Sequence, residues 1–246
     1  MKETLEQYHI YLGYLLLCLS LFVWGFALRR KEHLKLASTK WLIFLLGGIA
    51  ILAFTEWLFI FVIKHRYISK ENALMILNFL GTRTTSFVNP LSYFIKFIFL
   101  GLFLRDVFGN PQKKRFFQYL MYALVLFELI QVVVSKSYKE YNSLSSTVKN
   151  IFILGGMGLL LYKLYRTESR GFPLQKNTYF WISLGFLLPA IAEIFLEFIF
   201  TKLQKTDLLS FYKLYLVRNA SQIVGFTLLI MGIRQAKYLR FLPKEY

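Results

Sequence analysis

Residues 41–64, WLIFLLGGIAILAFTEWLFIFVIK, decide the fold. The stretch opens on Trp41, closes on Lys64, and holds one ionisable side chain in its interior, Glu56. A helix needs about 20 apolar residues to cross a bilayer core of roughly 30 Å, since each residue adds about 1.5 Å. Hydrocarbon offers the backbone no hydrogen-bond partner, so a run of this length satisfies its own N–H and C=O groups as a helix. Glu56 then lies where a charge is costly.

Six more apolar runs surround this one. With it they fall at about 10–28, 41–63, 86–104, 116–134, 148–165, 179–200 and 208–233. The composition agrees: 57% of the 246 residues are hydrophobic and 17% charged, whereas a soluble domain carries about a quarter charged residues. A mean hydropathy of +0.49 points the same way. The expected fold is all-α, a polytopic bundle of seven transmembrane helices forming one domain over residues 1–246. The first run lacks a small-residue cleavage site and is followed by Arg29, Arg30 and Lys31, so it reads as a retained span. Asn72 to Gly81 is too short to span alone; it extends helix 3, lies in the interface, or re-enters.

The formal charge of +17 comes from short basic clusters between apolar runs and not from one basic face, which excludes nucleic acid as the expected partner. Seventeen Lys and Arg residues follow helices 1, 3, 5 and 7, against eleven on the other side, Lys149 counted among them. The bias places the N-terminus outside and the C-terminus inside. A bacterial-type inner or plasma membrane is expected, with anionic lipid headgroups at the inner face. The single cysteine, Cys18, permits no intramolecular disulfide.

Glycines at 47–48 and at 155, 156 and 158 lack the strand, lysine and hydroxyl context of a phosphate loop, and in membrane helices small residues allow close packing. Gly109-Asn110-Pro111 and Gly171-Phe172-Pro173 are turn signals. Trp41 to Lys64 and Trp181 to Lys202 are both tryptophan-led runs with an acid in the second half and a terminal lysine, a hint of a repeat flanking helix 4.

The polar residues inside the spans carry the functional reading. A charge near the bilayer centre costs about 2.5 to 3.5 kcal/mol on insertion scales and requires a partner, a cavity or a use. Glu56, Lys96, Glu128, Glu193, Glu197 and Arg218 all fall within apolar runs, on five helices and near one depth. Asn89 and Ser92 share a helix face with Lys96, and Gln222 shares one with Arg218. These residues compose the expected ligand-binding set: Glu56, Lys96, Glu128, Glu193, Glu197, Arg218, Asn89 and Gln222. Acids outnumber bases among them, so one carboxylate is expected to lack a basic partner. Glu56 is expected beside Lys96, and Glu193 beside Arg218. Pro90 and Pro189 fall inside helices 3 and 6 and are expected to kink them.

Catalysis finds no support. The sequence holds no His-Glu-x-x-His, Gly-x-Ser-x-Gly or Cys-x-x-Cys, and His9, His33 and His65 lie at membrane edges on both sides. No enzyme activity, metal or cofactor is expected. The helix count and orientation resemble those of seven-helix receptors and of the membrane sensor regions of bacterial kinases. That layout implies an outward polar pocket for a small ligand or ion and a protein partner at the basic inner loops. The alternative is a small-solute or ion transporter, proton-coupled, with three plus one plus three helices. That arrangement is similar in layout to the sugar-exporting SWEET family, whose motifs this sequence lacks.

Overall fold

The computed structural model describes residues 2–34, 36–64, 85–139, 142–168 and 174–236. Among these residues it is all helical, with seven helices long and apolar enough to cross a membrane. These are α1 (Lys2–Arg29), α2 (Ala37–Lys64), α3 (Thr85–Val107), α4 (Pro111–Val133), α5 (Ser143–Glu168), α6 (Thr178–Thr206) and α7 (Leu208–Gln235). They are consistent with an integral, multi-pass membrane protein. The segment 72–81, the turn at 171–173 and the tail from 237 lie outside the described residues.

Several helices begin earlier than the apolar runs, because polar caps extend them beyond the lipid-like stretch. Asn110 accepts a bond from the Gln112 amide, and Pro111 occupies the first turn of α4, where its missing N–H is no loss. Gly109 takes φ 60° just before, the left-handed conformation a tight turn requires. Asn142 accepts from the Leu144 and Ser145 amides at the start of α5. A single residue, Asp207, separates α6 from α7 and caps the latter through the Leu209 and Ser210 amides. Exposed Phe116, Tyr119, Tyr122, Leu126, Leu129 and Val133 cover α4 with a lipid-compatible surface.

Neighbours pack α1 against α2 and α7, α7 against α6, α6 against α5, and α3 against α2, α4 and α5. The tightest approach joins α6 to α7. A Cβ on Gly225 would come within 2.7 Å of the Gly185 carbonyl oxygen, so the backbones touch where glycine stands. Gly48 and Gly156 also sit under large side chains, Ile95 and Leu104. Gly155 and Gly158, expected to pack likewise, face open space, because one and two steps around the helix turn them away from the α3 contact.

The two ends of the bundle differ. Where α1 and α3 end and α2 begins, Leu42, Leu45, Leu46, Phe97, Phe103, Leu104, Met157, Leu160, Tyr179 and Ile233 are buried in the interior. Trp41 donates to Asp106 at 2.8 Å and Ser38 bonds to the Tyr179 hydroxyl at 2.8 Å, tying this end together. The other end, where α1 begins, is hollow.

The kink expected at Pro90 is not there. Residues 85–87 form a 3-10 turn and the α-helix starts at Val88, so Pro90 sits in its first turn, where proline is tolerated. The irregularity of α3 falls lower, as a π-helical segment at Lys96–Leu100, a widened turn often found where a helix serves a site. Pro189 does lie within α6.

Candidate functional site

A cavity of about 600 Å³ occupies the hollow half of the bundle. Its walls come from α1, α2, α3, α5, α6 and α7, and α4 contributes no residue. Tyr14, Trp57, Phe61, Thr85 and Tyr215 line it toward the end where α1 begins, and Ile49, Phe186 and Leu229 form its apolar floor. Between these levels lies a polar belt.

Six of the eight sequence-derived residues line the cavity: Glu56, Asn89, Lys96, Glu193, Arg218 and Gln222. Glu193 is its electrostatic centre. One carboxylate oxygen receives the Gln222 amide at 2.8 Å and faces Arg218 Nε at 3.6 Å; the other receives Lys149 Nζ at 2.5 Å. The Glu193–Arg218 pairing expected from equal depth is therefore present. Lys96 also acts on Glu193, so three cations surround one buried acid.

The expected Glu56–Lys96 pair is not formed. Glu56 instead accepts a bond from the Thr85 hydroxyl at 2.9 Å, because α3 enters the bundle at Thr85 opposite this turn of α2. The charged groups acting on Lys96 are Lys149, Glu193 and Arg218. Among the described residues Lys96 has no ion pair or hydrogen bond.

Lys149 was counted as a charge on the outer side and is instead a buried wall residue, 3% exposed. Its helix starts at Ser143 and not at 148, so Lys149 stands almost two turns inside the bundle. The signal lay in the spacing of Ser146, Lys149 and Asn150, which share one face. With Lys149 included, the ionisable wall residues are Lys96, Lys149, Arg218, Glu56 and Glu193. Bases outnumber acids on the wall, reversing the excess expected from sequence.

Glu128 and Glu197 do not line the cavity. Glu197 is buried one turn from Glu193 and accepts a bond from Ser146 at 3.0 Å. Glu128 is buried near Ser145, and no hydrogen bond of good geometry reaches either carboxylate oxygen among the described residues. Depth and a shared helix face, Glu128 with Gln131 and Glu197 with Glu193, point to both, but they fix the layer and the side of the helix and not the compartment that side meets.

Asn150 and Asn219, neither of them among the residues expected from sequence, also line the cavity. The Asn150 amide has no partner at either its oxygen or its nitrogen, nor has the Asn219 nitrogen. Buried amides are nearly always bonded, so these donors and an acceptor are available to an occupant. The Tyr93 ring is buried behind the belt, 5.7 Å from Lys149 Nζ. Among the described residues no three His, Cys, Asp or Glu side chains group closely enough to hold a metal ion.

The arrangement can bind and orient a small polar group. It provides charge, unpaired amides and apolar walls. No protein-family model matches the chain, and neither a curated protein nor a solved structure is similar to it.

Proposed function

We propose that the protein is a membrane-embedded, receptor-like sensor module that is not an enzyme. Its cavity binds a small ligand from the outer side, and its basic inner loops pass the occupied state to a protein partner. The support is the one-ended architecture: a polar cavity in one half of the bundle above a half whose interior is lined by buried, mostly apolar side chains. Ligand contacts on α2, α3, α5, α6 and α7 would bias the packing among these helices, and a bistable packing is what carries such a signal. The N-terminus lies outside in this reading, in accord with the basic bias.

A transporter of three plus one plus three helices is the competing reading, favoured by the buried carboxylate of Glu128. Proteoliposomes holding a trapped pH indicator separate the two. With carboxylates, phosphate esters and amino acids offered outside, the sensor shows ligand-dependent thermal stabilisation but no accumulation and no proton flux. Accumulation driven by a proton gradient would establish the transporter.

A further inference from the structure

Among the described residues that line the cavity, Lys96 is a basic side chain outside every ion pair. Lys149 and Arg218 share Glu193, and Glu56 is held by Thr85. Lys96 stands on the same wall without hydrogen bond or ion pair among the described residues. It is the first residue of the π-helical segment, so the widened turn carries its side chain at the level of the belt. Asn150, whose amide is unbonded, lines the same cavity. An ammonium half-buried in the wall of a membrane-embedded bundle is costly without an anion, and the missing partner has the chemistry of the ligand.

We propose that the cavity takes a small amphiphilic anion, a carboxylate or phosphate on an apolar body. The anionic group pairs with Lys96 and accepts from the Asn150 amide, a charge-assisted contact in a water-poor site. Glu193 remains saturated by Lys149, Gln222 and Arg218, so it does not repel the ligand. The apolar body packs on Trp57, Ile60 and Phe61 toward the mouth. The proposal rests on the receptor-like reading of the same cavity and adds the sign and class of what fills it.

The test uses the full chain in phosphatidylcholine nanodiscs, with empty nanodiscs as background. Octanoate and octyl phosphate are expected to bind and raise the melting temperature, and octylamine is expected to do neither. Lys96→Gln is expected to weaken octanoate binding by about ten-fold to a hundred-fold, the loss of one charged hydrogen bond. Lys96→Arg, which keeps the charge, retains binding and guards against a folding defect in the first variant. Competition by phosphatidylglycerol added to the nanodisc assigns the anion to the bilayer, and competition by acetate or inorganic phosphate assigns it to water; both support the proposal. Octylamine binding as well as octanoate, unchanged octanoate binding by Lys96→Gln, or no binding of either acid would overturn it. Equal binding of octanol would overturn the anion while leaving a ligand pocket, so failure of the proposal is distinguishable from failure of the receptor reading.

Discussion

Lys149 Nζ stands 2.5 Å from Glu193 Oε2, joining α5 to α6 inside the wall of the cavity. Both residues are buried, and breaking such a pair by removing one partner leaves an uncompensated charge at a cost of about 3–5 kcal/mol. Lys149→Met is expected to lower the melting temperature sharply. Combining it with Glu193→Gln, which removes the buried carboxylate charge as well, is expected to recover part of the loss. A double-mutant cycle on the purified protein checks this; additive losses would show that the two residues do not interact.

Backbone contact between α6 and α7 gives a second expectation. Gly225→Ala forces a methyl against the Gly185 carbonyl and the Pro189 ring, and overpacking of this kind costs about 1–3 kcal/mol. Gly155→Ala meets nothing within 4 Å and gains up to about 1 kcal/mol of helix propensity. Opposite shifts in melting temperature are expected from two changes that look identical in sequence.

Asp207 connects α6 to α7 outside the apolar spans. The Ser210 hydroxyl and then the Ser210 amide hold its carboxyl below the usual aspartate range. A lowered folded-state value means the cap stabilises fully above the unfolded value of about 3.9 and fades as pH falls through the lowered one. Asp207→Asn keeps a cap that does not titrate. Hydrogen exchange at the Leu209 and Ser210 amides is expected to accelerate on acidification in the native protein relative to the Asn variant. Identical pH profiles would contradict the charged cap.

Orientation is checked by impermeant thiol labelling in a Cys18→Ala background. Thr206→Cys and Ser135→Cys are both exposed at the end where α1 begins and are expected to label from outside. Gln112→Cys, exposed at the opposite end, is expected to label only after the membrane is opened. Ser137 and Ser38 are unsuitable sites because both are buried.

The sequence makes the seven helices legible because lipid leaves the backbone a single solution over each apolar run, and length alone identifies it. It makes Glu193 and Arg218 legible as partners because charges at one depth in a dry interior attract. It leaves Lys149 hidden, since a lysine near the end of an apolar run is read as a boundary charge until the cap at Asn142 is known to start the helix earlier. Glu56 and Glu128 show the complementary failure. Depth is encoded in the position along a run, while azimuth depends on which helices adjoin, and that is a property of packing between distant segments. The irregular turn of α3 was sought at Pro90, the residue with an obvious covalent cause, but lies at Lys96–Leu100, where no residue type announces it.

Cysteine accessibility on either side of the cavity floor tests the one-ended cavity most directly. Ser92→Cys lines the cavity, whereas Leu100→Cys lies buried in the half just beneath it. With Cys18→Ala as background, an impermeant thiol reagent is expected to modify Ser92→Cys from the side where α1 begins, and from that side only. Leu100→Cys is expected to resist modification from both sides. Modification of Leu100→Cys, or of Ser92→Cys from the opposite side, would reveal a path through the bundle and contradict a sealed receptor pocket.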